Sequence, residues 1–207
     1  MQTGHKKNAQ KTERRDAILQ AAWSLIRQNG YHKTTVDEIA KGAGIAKGTI
    51  YLYFESKEEI MLALVDLTNL KIAKEQDKIL ASRLSAEKKL RSVILHRVLT
   101  LFDVVDRYPR GEEMVSSLLP HIVHRLDWYV RRNGILLAKI ISLGCEDGNF
   151  EQDDHDAAGQ MLARLFEHIT PPYYRFDSRE NLERFTNQLL DMLLAGLRSK
   201  TRLKGEK

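Results

Sequence analysis

The side chains with the clearest capacity for chemistry lie in the short run AKGTIYLYF, residues 46–54. Lys47 offers an ammonium group and Thr49 a hydroxyl group, and both can donate hydrogen bonds to phosphate oxygens or to base edges. Tyr51 and Tyr53 add hydroxyl groups on flat rings, which suit contacts to phosphates and to thymine methyl groups. The types and spacing of these residues indicate a surface that contacts nucleic acid.

Two small residues and a further lysine flank these donors. Ala46 and Gly48 allow the backbone to approach a phosphate chain or a base edge closely. Ser56 followed by Glu59 is a capping box, so a helix should begin there with Lys57 in its first turn. An ammonium group and backbone N–H groups in that turn can meet one phosphate. The alternative is a helical hairpin with an ordinary solvated basic face.

Two short helices must position these residues. Thr35 followed by Glu38 is another capping box, which predicts the start of a first helix. Gly44 supplies a residue that can adopt positive φ where that helix ends. The second helix is expected over Ala46–Phe54, with Ile50 facing inward and the donors facing outward. This is the layout of a helix-turn-helix that reads DNA.

The charge distribution supports the same division. Residues 1–57 contain ten lysines and arginines against five acidic residues, whereas the remainder contains 23 of each. The whole formal surplus of +5 therefore lies in the N-terminal segment. A segment that neutralises phosphates is expected to have this excess, and its affinity for DNA should fall with salt.

Residues 12–60 resemble the N-terminal domain of the TetR (tetracycline repressor-like) family of transcriptional regulators. The resemblance rests on TTVDEIAKGAGIAKGTIYLYFESKEEI, preceded by RRDAILQAAWSLIRQNGY. One departure is that Leu52 and Tyr53 stand where many members have Tyr-His or Trp-His, so the base preference at Tyr53 cannot be transferred. The DNA contacts that the resemblance implies are Thr35, Ala46, Lys47, Gly48, Thr49, Tyr51, Tyr53 and Lys57.

The resemblance also implies an all-α homodimer, in which a larger C-terminal domain binds a small effector that releases DNA. We accordingly expect a three-helix DNA-binding domain over residues 1–57 and a helical effector-binding and dimerisation domain over residues 58–207. The predicted function is that of a regulator, with repression favoured, bound as a dimer to a palindromic operator. A DNA-binding regulator or architectural protein without an effector is the alternative.

Length and composition set further bounds. A chain of 207 residues can form a small N-terminal module and a second domain with its own core. Its one cysteine, Cys145, cannot form an internal disulfide, which indicates a reducing compartment or an incidental thiol. No apolar run is long enough to span a bilayer and the N-terminus lacks an apolar signal segment, so we expect a cytoplasmic protein. No cofactor is indicated.

Hydrophobic periodicity predicts helices along the rest of the chain and no strands. Met1–Lys11 is polar and basic, and we expect it to be disordered. A long helix from Lys57 to about Leu80 should join the two domains and would transmit any signal between them. The other helices are expected at 11–29, 86–107, 112–145 with a break at Pro120, 155–169 and 179–199.

The last predicted helix is apolar on too many sides to bury against one surface. It should therefore pack against its own domain on one side and against a partner on another, in a symmetric four-helix interface. The central helix of a monomeric core is the alternative. The predicted interface residues are Met161, Leu165, Phe185, Leu189, Leu190, Leu193, Leu194 and Leu197.

An effector cavity is predicted where the helices at 86–107 and 121–145 pack side by side, because aromatic and polar groups would meet there. His121 and His124 have metal-ligand spacing, with Asp127 on the same face, but no cysteine or second histidine pair completes a site, and no metal is expected. The predicted effector-contacting residues are Phe102, Val105, Met114, Leu118, His121, Arg125, Trp128 and Tyr129.

An enzyme is the rival class of protein. The sequence has no Gly-rich phosphate loop, nucleophile elbow or HExxH motif. Cys145 is followed by Glu146 and Asp147, whose negative charges disfavour a reactive thiolate. The sequence therefore favours a DNA-binding regulator over an enzyme.

Overall fold

A computed structural model describes residues 2–106, 111–170, 173 and 177–198, with the side chains of 2–8, 111–118 and 124 not described. Over these residues the protein is all-α, and its one strand-like pairing is an isolated bridge between Phe150 and Arg198. The predicted fold class is confirmed. The helices are α1 (Gln2–Asn29), α2 (Val36–Gly42), α3 (Lys47–Ile50), α4 (Lys57–Ala81), α5 (Ala86–Asp106), α6 (Gly111–Glu146), α7 (His155–His168) and α8 (Arg179–Leu197).

The chain divides into two compact units. The first unit contains Met1–Asn69 and Val105–Ile122, and the second contains Leu70–Val104 and Val123–Lys207. Both long helices α4 and α6 contribute residues to each unit. The division at residue 57 that the sequence suggested stays a proposal.

The first unit is built on α1, which packs against α2, while α2 packs against α3. One face of α1 is buried, with Ile18, Ala22 and Ile26 fully inaccessible. Ile39 of α2 and Ile50 of α3 complete the same core from the other side. Burial of these β-branched and aliphatic groups removes apolar surface from water and fixes the orientation of the short helix α3.

The second unit has its own hydrophobic core, to which α5, α6, α7 and α8 all contribute. Fully buried members include Leu90 on α5, Ile140 and Ile141 on α6, and Leu182 and Leu190 on α8. This unit is large enough to bury such a core without disulfides or metals.

Three expectations about the helices are wrong. The segment Met1–Lys11 is helical from Gln2 onward, because its Gln, Lys and Ala residues are compatible with extending α1. Pro120 lies inside α6 and does not break it, since loss of one N–H donor need not end a long helix held by packing. The second helix of the pair is shorter than the expected Ala46–Phe54, for reasons given below.

Candidate nucleic-acid interface

The first helix of the pair begins with the predicted capping box. The Thr35 hydroxyl oxygen accepts a hydrogen bond from the Glu38 N–H group at 3.2 Å, and the Glu38 carboxylate accepts one from the Thr35 N–H group at 2.8 Å. The hydrogen bond that the Thr35 backbone donates to the Glu38 carboxylate is the main reason why the pKa of Glu38 lies below its usual value, and a hydrogen bond from the Thr35 hydroxyl adds to the effect. Thr35 therefore acts first as a helix cap, and its predicted DNA contact stays a prediction.

The turn after α2 has the hydrogen bonds of a Schellman motif. Gly44, at φ +68°, donates to the Lys41 carbonyl at 3.1 Å, and Ile45 donates to the Ala40 carbonyl at 3.0 Å. A side chain at Gly44 would be strained at this φ, although the space around it is open. The motif closes α2 and sets the direction in which α3 starts.

The helix α3 and its two capping residues, Ala46 and Tyr51, expose four of the eight residues predicted to contact DNA. Ile50 is buried beneath it, whereas Lys47, Gly48 and Tyr51 are exposed. A Cβ atom added at Gly48 would meet nothing within 4 Å, so the fold itself does not require glycine there. Ala46, the N-cap residue of α3, is also exposed, and Thr49 and Tyr53 are half-buried.

The helix ends early because its last turn tightens. Leu52 donates to the Thr49 carbonyl and Tyr53 to the Ile50 carbonyl, both with the three-residue spacing of a 3₁₀ turn. Phe54 also donates to the Ile50 carbonyl, and its side chain is buried. The tightened turn still places Tyr51 and Tyr53 next to α3, so these two tyrosines follow directly after Lys47, Gly48 and Thr49.

An ion pair occupies the lysine at the start of α3. The Lys47 Nζ atom lies 2.7 Å from the Asp37 Oδ2 atom, and the two side chains are 50% and 55% exposed. Hydrogen bonding to Asp37, with its negative charge, raises the pKa of Lys47. Lys47 is charged and exposed, but it must exchange Asp37 for any phosphate that it contacts.

Lys57 is used within the protein, which sequence reasoning missed. Its Nζ atom donates to the carbonyls of Tyr31 at 3.0 Å and Thr34 at 3.1 Å, and lies 4.2 Å from the centre of the Tyr31 ring. The Tyr31 hydroxyl in turn donates to the Glu58 carboxylate at 3.0 Å. Burial, together with Glu58, raises the pKa of Tyr31 well above its usual value. We call Lys57, Glu58, Tyr31 and Thr34 the α4 clamp, since they join the first turn of α4 to the loop before α2.

The predicted dimer residues fall into three groups. Met161, Leu165 and Phe185 are exposed, by 63%, 36% and 42%. Leu190 and Leu194 are fully buried in the core of the second unit and are not available to a partner. The half-buried members, which pack against that core, are Leu189, Leu193 and Leu197.

The predicted effector residues differ in how far their side chains are exposed to solvent. Phe102 and Tyr129 are buried, Val105 and Arg125 are half-buried, and His121 is exposed. Trp128, which meets the Tyr129 ring edge-on, is 60% exposed. The side chains of Met114, Leu118 and His124 lie outside those that the structure describes.

A cavity in the second unit is lined by none of these predicted residues. Its polar lining consists of Gln76 on α4, Arg97 on α5 and Asn133 on α6. Each lies at a position that continues the buried face of its helix. On α5, for example, Arg97 follows the buried residues Leu90 and Ile94 by seven and three residues. A polar residue at a core position of the periodic pattern was the signal that could have revealed the site.

Among the residues that the structure describes, no group of three or more His, Cys, Asp or Glu side chains has an arrangement that could hold a metal ion. Within the same residues, no helix is both long and apolar enough to cross a bilayer.

The capped α2, the Schellman turn and the exposed basic α3 define a DNA-binding protein of the helix-turn-helix class. Residues 18–64 match the family model described as bacterial regulatory proteins, tetR family. This N-terminal segment is therefore similar to the DNA-binding domain of the TetR family of transcriptional regulators.

The similarity to known regulators extends over most of the chain. The fatty acid metabolism regulator protein of Bacillus subtilis (strain 168) is 28% identical over 185 residues, covering 88% of this chain and 95% of the relative. A crystal structure of a transcriptional regulator from Cytophaga hutchinsonii superposes with a TM-score of 0.77 at 21% identity, covering 89% of this chain and 98% of the other. The crystal structure of FadR from Bacillus subtilis in complex with stearoyl-CoA gives a TM-score of 0.58 at 27% identity, covering 88% and 98%. These relatives are regulators, and no family of enzymes is indicated.

Proposed function

We propose that the protein binds a two-fold symmetric DNA operator as a homodimer, with α3 of each protomer in a major groove. The observation that carries the proposal is the exposed face of α3, where Ala46, Lys47, Gly48 and Tyr51 are accessible while Ile50 anchors the helix from below. A short helix with donors, a basic group and an open glycine can approach base edges closely. The two α3 helices of a DNA-competent dimer should lie about 34–36 Å apart.

The exposed apolar residues of α7 and α8 support the dimer. Met161 and Met192 are 63% and 75% exposed, and Leu165 and Phe185 are also accessible. Large apolar groups clustered on two helices favour a helix-on-helix interface with a second copy. The proposed interface therefore keeps these residues and the half-buried Leu189, Leu193 and Leu197, but no longer includes Leu190 and Leu194.

We further propose that the protein acts in the cytoplasm as a repressor and that a small molecule bound in the second unit releases it from DNA. A bound dimer excludes other proteins from overlapping DNA without needing further contacts, which favours repression over activation. The related FadR structure holds stearoyl-CoA, which supports small-molecule binding in this fold. A version that lacks an effector remains the alternative, and it would bind the same DNA at an affinity that no metabolite alters.

The test begins with selection of binding sites from a random DNA library, followed by fluorescence anisotropy on the selected sequence over a salt series. We expect a palindrome, two protomers per site, and affinity that falls steeply with salt. Lys47→Ala should weaken binding, whereas Lys139→Ala, a matched loss of one exposed lysine from α6, should not. Failure to enrich any sequence, or equal losses in the two variants, would refute the proposed interface.

A further inference from the structure

The cavity in the second unit combines apolar walls with a small polar end. Its volume is about 20 Å³, enough for one water-sized group, within a cleft of about 270 Å³ of empty space that is partly open to solvent. The apolar lining comes from α5, α6 and α7 and consists of Val93, Ile94, Val98, Leu137, Ala163 and Phe166. Apolar walls with a few placed polar groups are typical of sites for small molecules.

Two hydrogen-bond acceptors at this cavity have no partner among the residues that the structure describes. Gln76 is 1% exposed and Asn133 is 6% exposed, and the amide oxygen of each is buried without a hydrogen bond. The amide nitrogens are committed, since Gln76 donates to the Val93 carbonyl at 3.5 Å and Asn133 to the Tyr129 carbonyl at 3.0 Å. Because a carbonyl neighbour requires the nitrogen on its side, both amides must present oxygen as the unpaired atom.

The one charged group that lines the cavity is already balanced. The Arg97 Nη2 atom lies 2.7 Å from the Glu167 Oε2 atom, and both side chains are nine-tenths buried or more. The site thus presents acceptor oxygens and no uncompensated positive charge. A carboxylate or phosphate entering it would lose hydration and face two more oxygens, which is costly.

We propose that this cavity binds the hydroxyl end of a small, uncharged, mostly apolar ligand, whose single O–H group donates to the amide oxygen of Gln76 or of Asn133. The proposal rests on the proposed effector function and names the chemical class of the effector. A buried donor or acceptor left unpaired costs free energy, so a ligand that supplies the missing donor is selected over one that does not. The alkyl part of the ligand then lies along the apolar lining, with side-chain rotations of the kind common on binding.

The test compares three probes of nearly equal size on the full-length protein by titration calorimetry. These are 1-hexanol, its isomer 1-methoxypentane, which has no donor, and hexanoate, which is charged. We expect 1-hexanol to bind about tenfold more tightly than either of the others, because only it supplies a hydrogen-bond donor without a charge.

Two variants test the acceptors themselves. Gln76→Met and Asn133→Leu remove one amide oxygen each while leaving an apolar side chain, and the variant that removes the accepting oxygen should reduce the preference for 1-hexanol over the ether. Binding of the ether should persist, which shows that the cavity is intact. Thr186→Val is the matched control, since it removes another fully buried, unpartnered oxygen that does not line the cavity. It should leave the preference unchanged.

The outcomes separate this site from the proposed function. Equal binding of alcohol and ether, no binding of any probe, or a preference that survives in both amide variants would overturn the ligand class. Selective alcohol binding that leaves operator affinity unchanged would refute effector control by this site but support the site. Release of DNA by a charged ligand, undiminished in both Gln76→Met and Asn133→Leu, would support effector control and overturn the site.

Discussion

At the scale of single residues, the pair of Asp37 and Lys47 sets how much positive charge the reading helix offers to DNA. Asp37→Asn should raise operator affinity roughly two- to fivefold, because an exposed ion pair is weak and its loss frees Lys47 for a phosphate. The slope of log affinity against log salt should steepen by about 0.9 if one more phosphate is neutralised. Asp153→Asn removes an equal charge from an exposed site in the second unit, and an equal effect there would show that net charge alone is responsible.

At Gly48, DNA binding and protein stability are expected to favour different residues. Gly48→Ala should stabilise the protein by roughly 0.5–1 kcal/mol, since alanine is the better helix former and open space surrounds this position. Operator affinity should nevertheless fall, because the added methyl group would hold the backbone away from the DNA. Chemical denaturation and anisotropy on the same preparation measure the two effects. A variant that is more stable and binds equally well would show that α3 does not approach DNA at Gly48.

At the scale of secondary-structure elements, the α4 clamp joins the DNA-binding helices to the long helix α4. Lys57→Met keeps an unbranched side chain but removes both hydrogen bonds to the loop before α2. We expect the free energy of unfolding to fall by about 1–2 kcal/mol. Hydrogen bonds from a charged group are stronger than neutral ones, but partial exposure of the Lys57 ammonium group reduces their contribution. The salt slope of DNA binding should stay the same.

The opposite pair of results would support the DNA contact that the sequence predicted for Lys57. A flatter salt slope with unchanged stability would mean that its ammonium meets a phosphate. Lys41→Met, at an exposed lysine of α2, controls for the loss of one charge in the same unit.

A buried ion pair on α5 and α7 provides the second prediction at this scale. Glu167→Gln should destabilise the second unit by about 3–5 kcal/mol, because it leaves the Arg97 guanidinium buried without its counter-charge. Replacing both residues, as Arg97→Met with Glu167→Leu, should recover most of that loss. Thermal and chemical denaturation of the two variants measure this. A single variant as stable as the original protein would contradict the need for the pair.

The sequence predicts local structure well because its signals are local. The capping box of Thr35 and Glu38 and the positive φ of Gly44 follow from residues within four positions of each other. The partners of Lys57 lie 26 and 23 residues away, so no local pattern could show that its ammonium is committed. Periodicity marks the apolar faces of α8 but cannot say which leucines a single chain already buries.

At the scale of the whole molecule, the charge and the apolar surface have separate locations. The formal surplus of +5 lies in residues 1–57, where it can attract phosphates, and the remainder of the chain is neutral overall. A neutral remainder does not repel a second copy of itself, and its helices α7 and α8 carry exposed apolar groups. This distribution is consistent with the proposal that one unit binds DNA and the other binds a second copy of the chain.

The proposed dimer can be tested without disturbing the protomer. Met161→Glu and Met192→Glu place charges at positions that are 63% and 75% exposed, so the core of the chain should remain intact. Buried in an interface, these charges would be unpaired, and we expect monomers by light scattering or sedimentation. Operator affinity should fall by about 100-fold or more, since two linked reading helices bind far more tightly than one.

Ile135→Glu is the matched control for these two variants. Ile135 is 66% exposed on α6, outside the proposed interface, so the same chemical change there should leave a dimer with full operator affinity. If Ile135→Glu produces monomers while the α7 and α8 variants remain dimeric, the interface lies on α6 instead. Symmetric assembly through α7 and α8 predicts the reverse, because both of these helices carry exposed apolar groups on one side while their other side forms the core.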